Sequence, residues 1–165
     1  MSRVMGVVSG KGGVGKTVVA INLAASLQKY YKKKVLLVDA NVTTPHLGLY
    51  LGLYSTPVTL NDVVRGRVEI EKAVYEHKSG LHVLPASMRH EDMKDVDWQK
   101  IRESVEKIKD NYDFLIVDSA PGFNRESLIT LGMCSEALFV TNPVVHSAAD
   151  LIKCREISKE LNINP

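Results

Sequence analysis

Short runs of consecutive aliphatic and β-branched residues alternate along the chain with longer stretches whose apolar side chains recur every three or four positions. The runs fall at residues 3–8, 34–39, 81–84, 113–118 and 136–141, and such continuously apolar runs mark strands buried on both faces of a parallel sheet. Between them, Trp98, Ile101, Val105 and Ile108 stand at i, i+3, i+7 and i+10, and Leu151, Cys154, Ser158 and Leu161 repeat that spacing. Lys, Glu and Arg fill the other positions, the pattern of a helix lying on a sheet. The alternation predicts an α/β fold: a mostly parallel sheet flanked by helices on both faces. No repeat, low-complexity tract or linker divides residues 1–165, so a single domain is expected. The last helical pattern stops at Glu160-Leu161 and the chain finishes Asn162-Ile163-Asn164-Pro165, where the alternation asks for another strand. The expectation is a fragment or a naturally short form.

Composition narrows the class. The length of 165 residues suits one domain with its own core, and 45% hydrophobic with 24% charged residues excludes a disordered or fibrous chain. Lys and Arg number 21 against 19 Asp and Glu, a net charge of +2 too balanced to mark nucleic acid or an anionic membrane as partner. The tract Lys29-Tyr30-Tyr31-Lys32-Lys33-Lys34 falls at the end of the first helical stretch, where cations complement the helix dipole. Met1-Ser2-Arg3 leads straight into a strand pattern with no secretory signal, and with Cys134 and Cys154 as the two cysteines a reducing cytoplasm is expected. Apolar runs of about four residues fall far short of the roughly 20 that a membrane span needs. His46, His77, His82, His90 and His146 share no metal-ligand spacing, and Glu91, Asp92, Asp95 and Asp97 read as acidic charge ahead of a helix starting near Trp98.

The chemistry is concentrated near the amino end. Gly10-Lys11-Gly12-Gly13-Val14-Gly15-Lys16-Thr17 fits G-x-x-x-x-G-K-[ST], follows a strand pattern, and opens the helical stretch bearing Ala20, Ile21, Ala24 and Leu27. Glycines let successive backbone N–H groups turn inward with no Cβ in the way, forming an anion nest at the positive end of a helix. Lys16 then reaches phosphate oxygens as a point charge, and the Thr17 hydroxyl suits a Mg²⁺ ion bridging two phosphates. A plain strand-to-helix turn would need neither side chain.

Lys11, second in the loop, makes it resemble the deviant Walker A motif, K-G-G-x-G-K-[ST], of the MinD/ParA family of P-loop ATPases. Val35-Leu36-Leu37-Val38-Asp39-Ala40-Asn41 is similar to that family's second strand and switch I, and Leu81-His82-Val83-Leu84-Pro85-Ala86-Ser87 to its L-x-V-L-P-A-S stretch. Residues 113–122 resemble the Walker B strand and switch II, and Thr141-Asn142-Pro143 completes a series running from residue 4 to about 161. Segments 47–52 and 85–87 point to the MinD branch, in its archaeal form.

The resemblance implies a Rossmann-like P-loop fold and an Mg²⁺-dependent ATPase that converts ATP to ADP and phosphate. It implies an ATP-driven homodimer, a switch for positioning a division site or partitioning a cargo, and a protein partner that activates it or is carried by it. The family's later strands and its membrane-targeting helix lie beyond the match. Lys11 is implied to cross the dimer interface to the partner's phosphates, as an arginine finger does. Asp39 and Asp118 end strands at the crevice where open α/β sheets bind ligands. Asp118 is implied to hold Mg²⁺ with Thr17 and Asp39, and Asp39 to place the attacking water. With Lys11, Lys16 and Asp39 as the catalytic set, the nucleotide contacts extend over Gly10 to Thr17 and on to Val18, Asn41 and Gly122.

Three departures from the family pattern stand out, of which the first two bear on activity. Val18 stands where the family usually has a hydroxyl on the α-phosphate, removing one hydrogen bond worth about 1 kcal/mol. Asn41 replaces a second switch I aspartate and cannot act as a base. Ser119-Ala120-Pro121-Gly122 reverses the family's Pro-Ala order. A nucleotide-binding regulatory module with little turnover is therefore the alternative. A metal-cluster carrier ranks below both, because no C-x-x-C is present and neither cysteine adjoins switch II.

Overall fold

A computed structural model of the chain describes residues 2–93 and 97–165. Strands β1 (Arg3–Val8), β2 (Val35–Asp39), β3 (Tyr75–Glu76), β4 (His82–Leu84), β5 (Phe114–Asp118) and β6 (Glu136–Phe139) form one sheet in the order β3-β4-β2-β5-β1-β6. Every neighbouring pair is parallel except the β3–β4 pair at one edge. The five apolar runs are the five parallel strands. β3 escapes the pattern because two residues carry no period; the turn into β4 creates it, with Gly80 at φ 81° and the His77 N–H bonded to the Leu81 carbonyl at 2.9 Å.

Helices α1 (Lys16–Tyr31), α2 (Leu47–Tyr50), α3 (Leu60–Val64), α4 (Trp98–Ile108), α5 (Arg125–Gly132) and α6 (Val145–Glu160) cover the two faces. Successive strand side chains point to opposite sides. Val4, Leu36, Val38, Leu115 and Val117 therefore pack against Leu60 of α3 and Ile101, Val105 and Ile108 of α4. Val7, Val35, Leu37 and Ile116 pack on the other side against Ala20 and Ala24 of α1 and Leu47 of α2. Each fully buried Leu or Ile in these layers contributes roughly 1.5–3 kcal/mol of burial free energy. Asp95, one of the acidic residues read ahead of α4, lies outside the described residues; Asp97 caps that helix, accepting the Gln99 N–H at 3.1 Å.

α6 departs from its expected stripe. Cys154 and Ser158 are buried with Ser147, whereas Leu161 is exposed. Small side chains let the helix approach the sheet closely, and Leu161 lies past the last helical turn. Asn162 then takes a left-handed φ of 56°, Ile163 turns inward, and Asn164 forms one parallel bridge to Glu136. The strand that the alternation asks for is thus present as a single rung.

The cysteines are packing residues. A Cβ on Gly6 would lie 2.9 Å from Cys134 Sγ, so the thiol fills the space above that glycine. Burial pushes the Cys134 thiol up to about 12 and the Cys154 thiol up to about 11.

Candidate nucleotide site

β1 ends at Val8 and α1 begins at Lys16, and the loop between them bends at Gly13 (φ 77°) and Gly15 (φ 94°). Both angles lie in the left-handed region that a Cβ disfavours. No side chain caps the start of α1 and no acidic residue occupies its first turn, so its N-terminal donors are left for an anion. The loop wraps a cavity of about 270 Å³. Lys11, Gly12, Gly13, Val14, Gly15, Lys16, Thr17 and Val18 line one side; Asn41, Thr44, His46 and Tyr50, from the loop after β2 and from α2, line the other.

Asp39 and Asp118 are register partners at the C-terminal ends of β2 and β5, buried beneath the cavity. Lys16 is buried with them: its Nζ lies 3.1 Å from Asp118 Oδ1 and donates to the Ser119 carbonyl. Asp39 accepts the backbone N–H groups of Asn41 and Leu47 at 3.1 and 3.2 Å. Burial first, and the neighbouring Asp118 charge second, push the Asp39 carboxyl up to about 8, against those two N–H groups and Lys16.

The remaining predicted residues take more varied positions. Val18 is exposed at the cavity wall and offers no hydroxyl. The Asn41 side chain is spent on its own turn, Nδ2 donating to the Thr44 carbonyl at 2.7 Å and Oδ1 accepting the Thr44 hydroxyl at 3.1 Å. Gly122, counted among the nucleotide contacts, donates its N–H to the Ser9 carbonyl at 2.9 Å, with φ at 83°. Gly10 serves close packing: a Cβ there would stand 2.3 Å from Asp150 Cβ, so α6 leans on the loop at this glycine. Lys11 reaches back to the same helix, its Nζ 2.8 Å from His146 Nε2.

Two participants carried no sequence signal. His146 lacks any spacing that would link it to Lys11, 135 positions away. Glu126, in the first turn of α5, has no pattern that links it to Thr43, 83 positions away, yet it is buried and binds Thr43 in the loop after β2.

The donor set fits Mg²⁺. Asp39 and Asp118 face each other beside one buried ammonium, and burial together with the Asp118 charge keeps Asp39 protonated to about pH 8. Among the described residues no group of three His, Cys, Asp or Glu forms a metal cage, and Mg²⁺ typically uses one or two carboxylates, a hydroxyl and phosphate oxygens instead. Thr17, Asp118 and Asp39 are the residues that would hold it.

The Asp39 shift has a measurable consequence. The folded protein retains that proton to about pH 8, while an unfolded aspartate releases it near 3.8. The folded state therefore binds more protons across this window, and Asp39's stabilising contribution is full below about pH 4 and is lost as pH rises to about 8. Glu126, also raised by burial, acts with the same sign. Asp92, held low against its burial by the Ser87 hydroxyl and Arg65, and Glu136, held low by Arg3, lose their protons below this window in the folded state and add little slope within it. In urea titrations of metal-free, nucleotide-free protein, the midpoint should fall from pH 5 to 8, and Asp39→Asn should flatten that slope. An unchanged slope in the variant would contradict the assignment.

A glycine-rich loop opening a helix, a lysine on a strand-end aspartate and a parallel sheet with β1 inside it define a P-loop nucleotide-binding domain. A family model described as an AAA domain matches residues 2–162. An uncharacterized ATP-binding protein of Methanocaldococcus jannaschii is 37% identical over 161 residues, 98% of this chain and 61% of that protein. The Pyrococcus furiosus cell division ATPase MinD superposes with a TM-score of 0.94 at 34% identity, covering 99% of this chain and 69% of that one. The septum site-determining protein MinD of Pyrococcus horikoshii, solved with Mg-ADP, gives 0.94 at 33% identity, with coverages of 99% and 68%. The chain belongs to the MinD family of AAA-domain, deviant Walker A P-loop ATPases. It spans 61% and 57% of the lengths of the first two curated relatives it matches. Among the described residues no helix is long and apolar enough to cross a membrane.

Proposed function

We propose that the chain binds Mg-ATP in the Gly10–Thr17 loop and hydrolyses it slowly to ADP and phosphate, ATP favouring a homodimer that hydrolysis dissolves. The observation that carries this reading is Lys16, buried at the cavity floor on Asp118, beneath a loop whose backbone donors have no side-chain cap. Mg²⁺ supplies charge neutralisation and a template for the phosphates. The chain supplies the rest. Loop N–H groups and Lys16 bind and orient the phosphates, Thr17, Asp118 and Asp39 hold the ion, and the Asp39 carboxyl group orients the attacking water. Lys11, at the cavity rim, is the residue available to a second copy.

Such a cycle serves as a cytoplasmic timer for spatial positioning, in cell division or partitioning, with a protein partner that stimulates turnover or is carried. The relatives named for cell division support this role. Single-turnover assays with saturating Mg-ATP and sedimentation in ATP against ADP test the reading together. Phosphate release with a dimer in ATP only is the expected result. Binding without release above background would instead select a nucleotide-binding regulatory module, for which Val18 and the self-engaged Asn41 are the structural grounds.

A further inference from the structure

Glu126 is a carboxylate placed where a carboxylate is costly. It is at least nine-tenths buried, and its own helix has no use for it as a cap, because the Asn124 side chain already accepts the Ser127 N–H at 2.8 Å. Its oxygens turn away from α5 to the loop after β2. One accepts the Thr43 hydroxyl at 2.6 Å and the other the Thr43 N–H at 3.2 Å. A backbone donor and a hydroxyl of one residue gathered on one carboxylate fix a loop in place, since each would otherwise have to find water or another acceptor.

The loop is held at three points. Asp39 takes the Asn41 and Leu47 N–H groups at its two ends, and Asn41 closes an internal turn with Thr44. Glu126 is the clasp that reaches it from the helix following the Asp118–Gly122 turn. Asn41 and Thr44, on either side of the clasped residue, line the cavity. A shift of this cavity wall therefore pulls on α5 through two hydrogen bonds, and a shift of α5 moves the wall.

We infer that Glu126 is a positioning residue that clamps the nucleotide-facing loop after β2 to α5, setting where Asn41 and Thr44 stand and coupling α5 to the occupant of the cavity. The inference rests on the reading that this cavity takes a nucleoside triphosphate, but its first test does not. Hydrogen exchange of the nucleotide-free protein should show the Thr43 amide exchanging at least tenfold faster in Glu126→Gln than in wild type. The amide nitrogen of glutamine meets one of the donors that the carboxylate accepted. Unchanged exchange in a variant with wild-type circular dichroism overturns the clamp.

The second test is kinetic. Glu126→Gln and the isosteric Thr43→Val should lower kcat for Mg-ATP by about tenfold with Kd for the nucleotide within about threefold of wild type. Thr43→Ser, which keeps the hydroxyl, should restore the rate, and the double variant Glu126→Gln/Thr43→Val should lose no more than either single one. Rates unchanged in both single variants, or additive losses, would sink the positioning role. If wild type itself binds Mg-ATP without turning it over, the ATPase reading fails separately. The clamp is then judged by α5 amide protection on adding Mg-ATP, which should rise in wild type and not in Glu126→Gln; equal responses overturn it.

Discussion

Lys16→Ala is expected to raise the Kd for Mg-ATP by roughly 100-fold or more and to destabilise the nucleotide-free fold as well. Two charge-assisted contacts to phosphate oxygens, at about 1.5–3 kcal/mol each, amount to at least two orders of magnitude in affinity. The stability loss has a different origin. Lys16 Nζ sits 3.1 Å from Asp118 Oδ1, both groups buried, and Lys16 also moderates the Asp39 carboxyl. Removing one member of a buried pair typically costs about 3–5 kcal/mol, because the other is left uncompensated. Here two adjacent carboxylates would compete for one proton. The two effects separate in a double variant: Lys16→Ala/Asp118→Asn should regain much of the lost urea midpoint and none of the lost affinity. Calorimetric affinity within about threefold of wild type in Lys16→Ala would remove the phosphate cradle from its place in the loop.

Legibility in the sequence followed the range of the forces involved. The five parallel strands could be read because burial on both faces demands unbroken apolar runs, and α4 because Ile101, Val105 and Ile108 face one way. The phosphate loop was legible because its conformation and its ligand both constrain residue type. β3 was not, since its pairing depends on a turn and on the β4 edge rather than on any pattern of its own. The ties within the site were equally hidden. Glu126 meets Thr43 across 83 positions and Lys11 meets His146 across 135, and neither pairing leaves a periodic trace. The Gly10–Asp150 contact shows the same limit from the other side: a glycine explained wholly by phosphate binding turns out also to make room for a helix.

Lys11→Ala should leave nucleotide binding by the monomer within about threefold of wild type while abolishing the ATP-induced dimer and lowering turnover by roughly 10³-fold, the scale of a cation supplied across an interface. The structure gives this expectation a specific form. Lys11 Nζ is tied within its own chain to His146 Nε2 at 2.8 Å, at the cavity rim where α6 meets the loop. One such exposed hydrogen bond has a net worth of about 0.5–1.5 kcal/mol, small beside the attraction of a triphosphate for an ammonium. The tie therefore holds Lys11 at the rim of its own cavity without preventing its capture by a second copy's phosphates. Alanine loses the captured contact and keeps the loop backbone, whose φ-positive glycines hold their conformation independently of residue 11. Sedimentation velocity in Mg-ATP gives the decisive measurement. A Lys11→Ala protein that still dimerises with ATP, and only with ATP, would place the interface energy elsewhere and return Lys11 to a local role on α6.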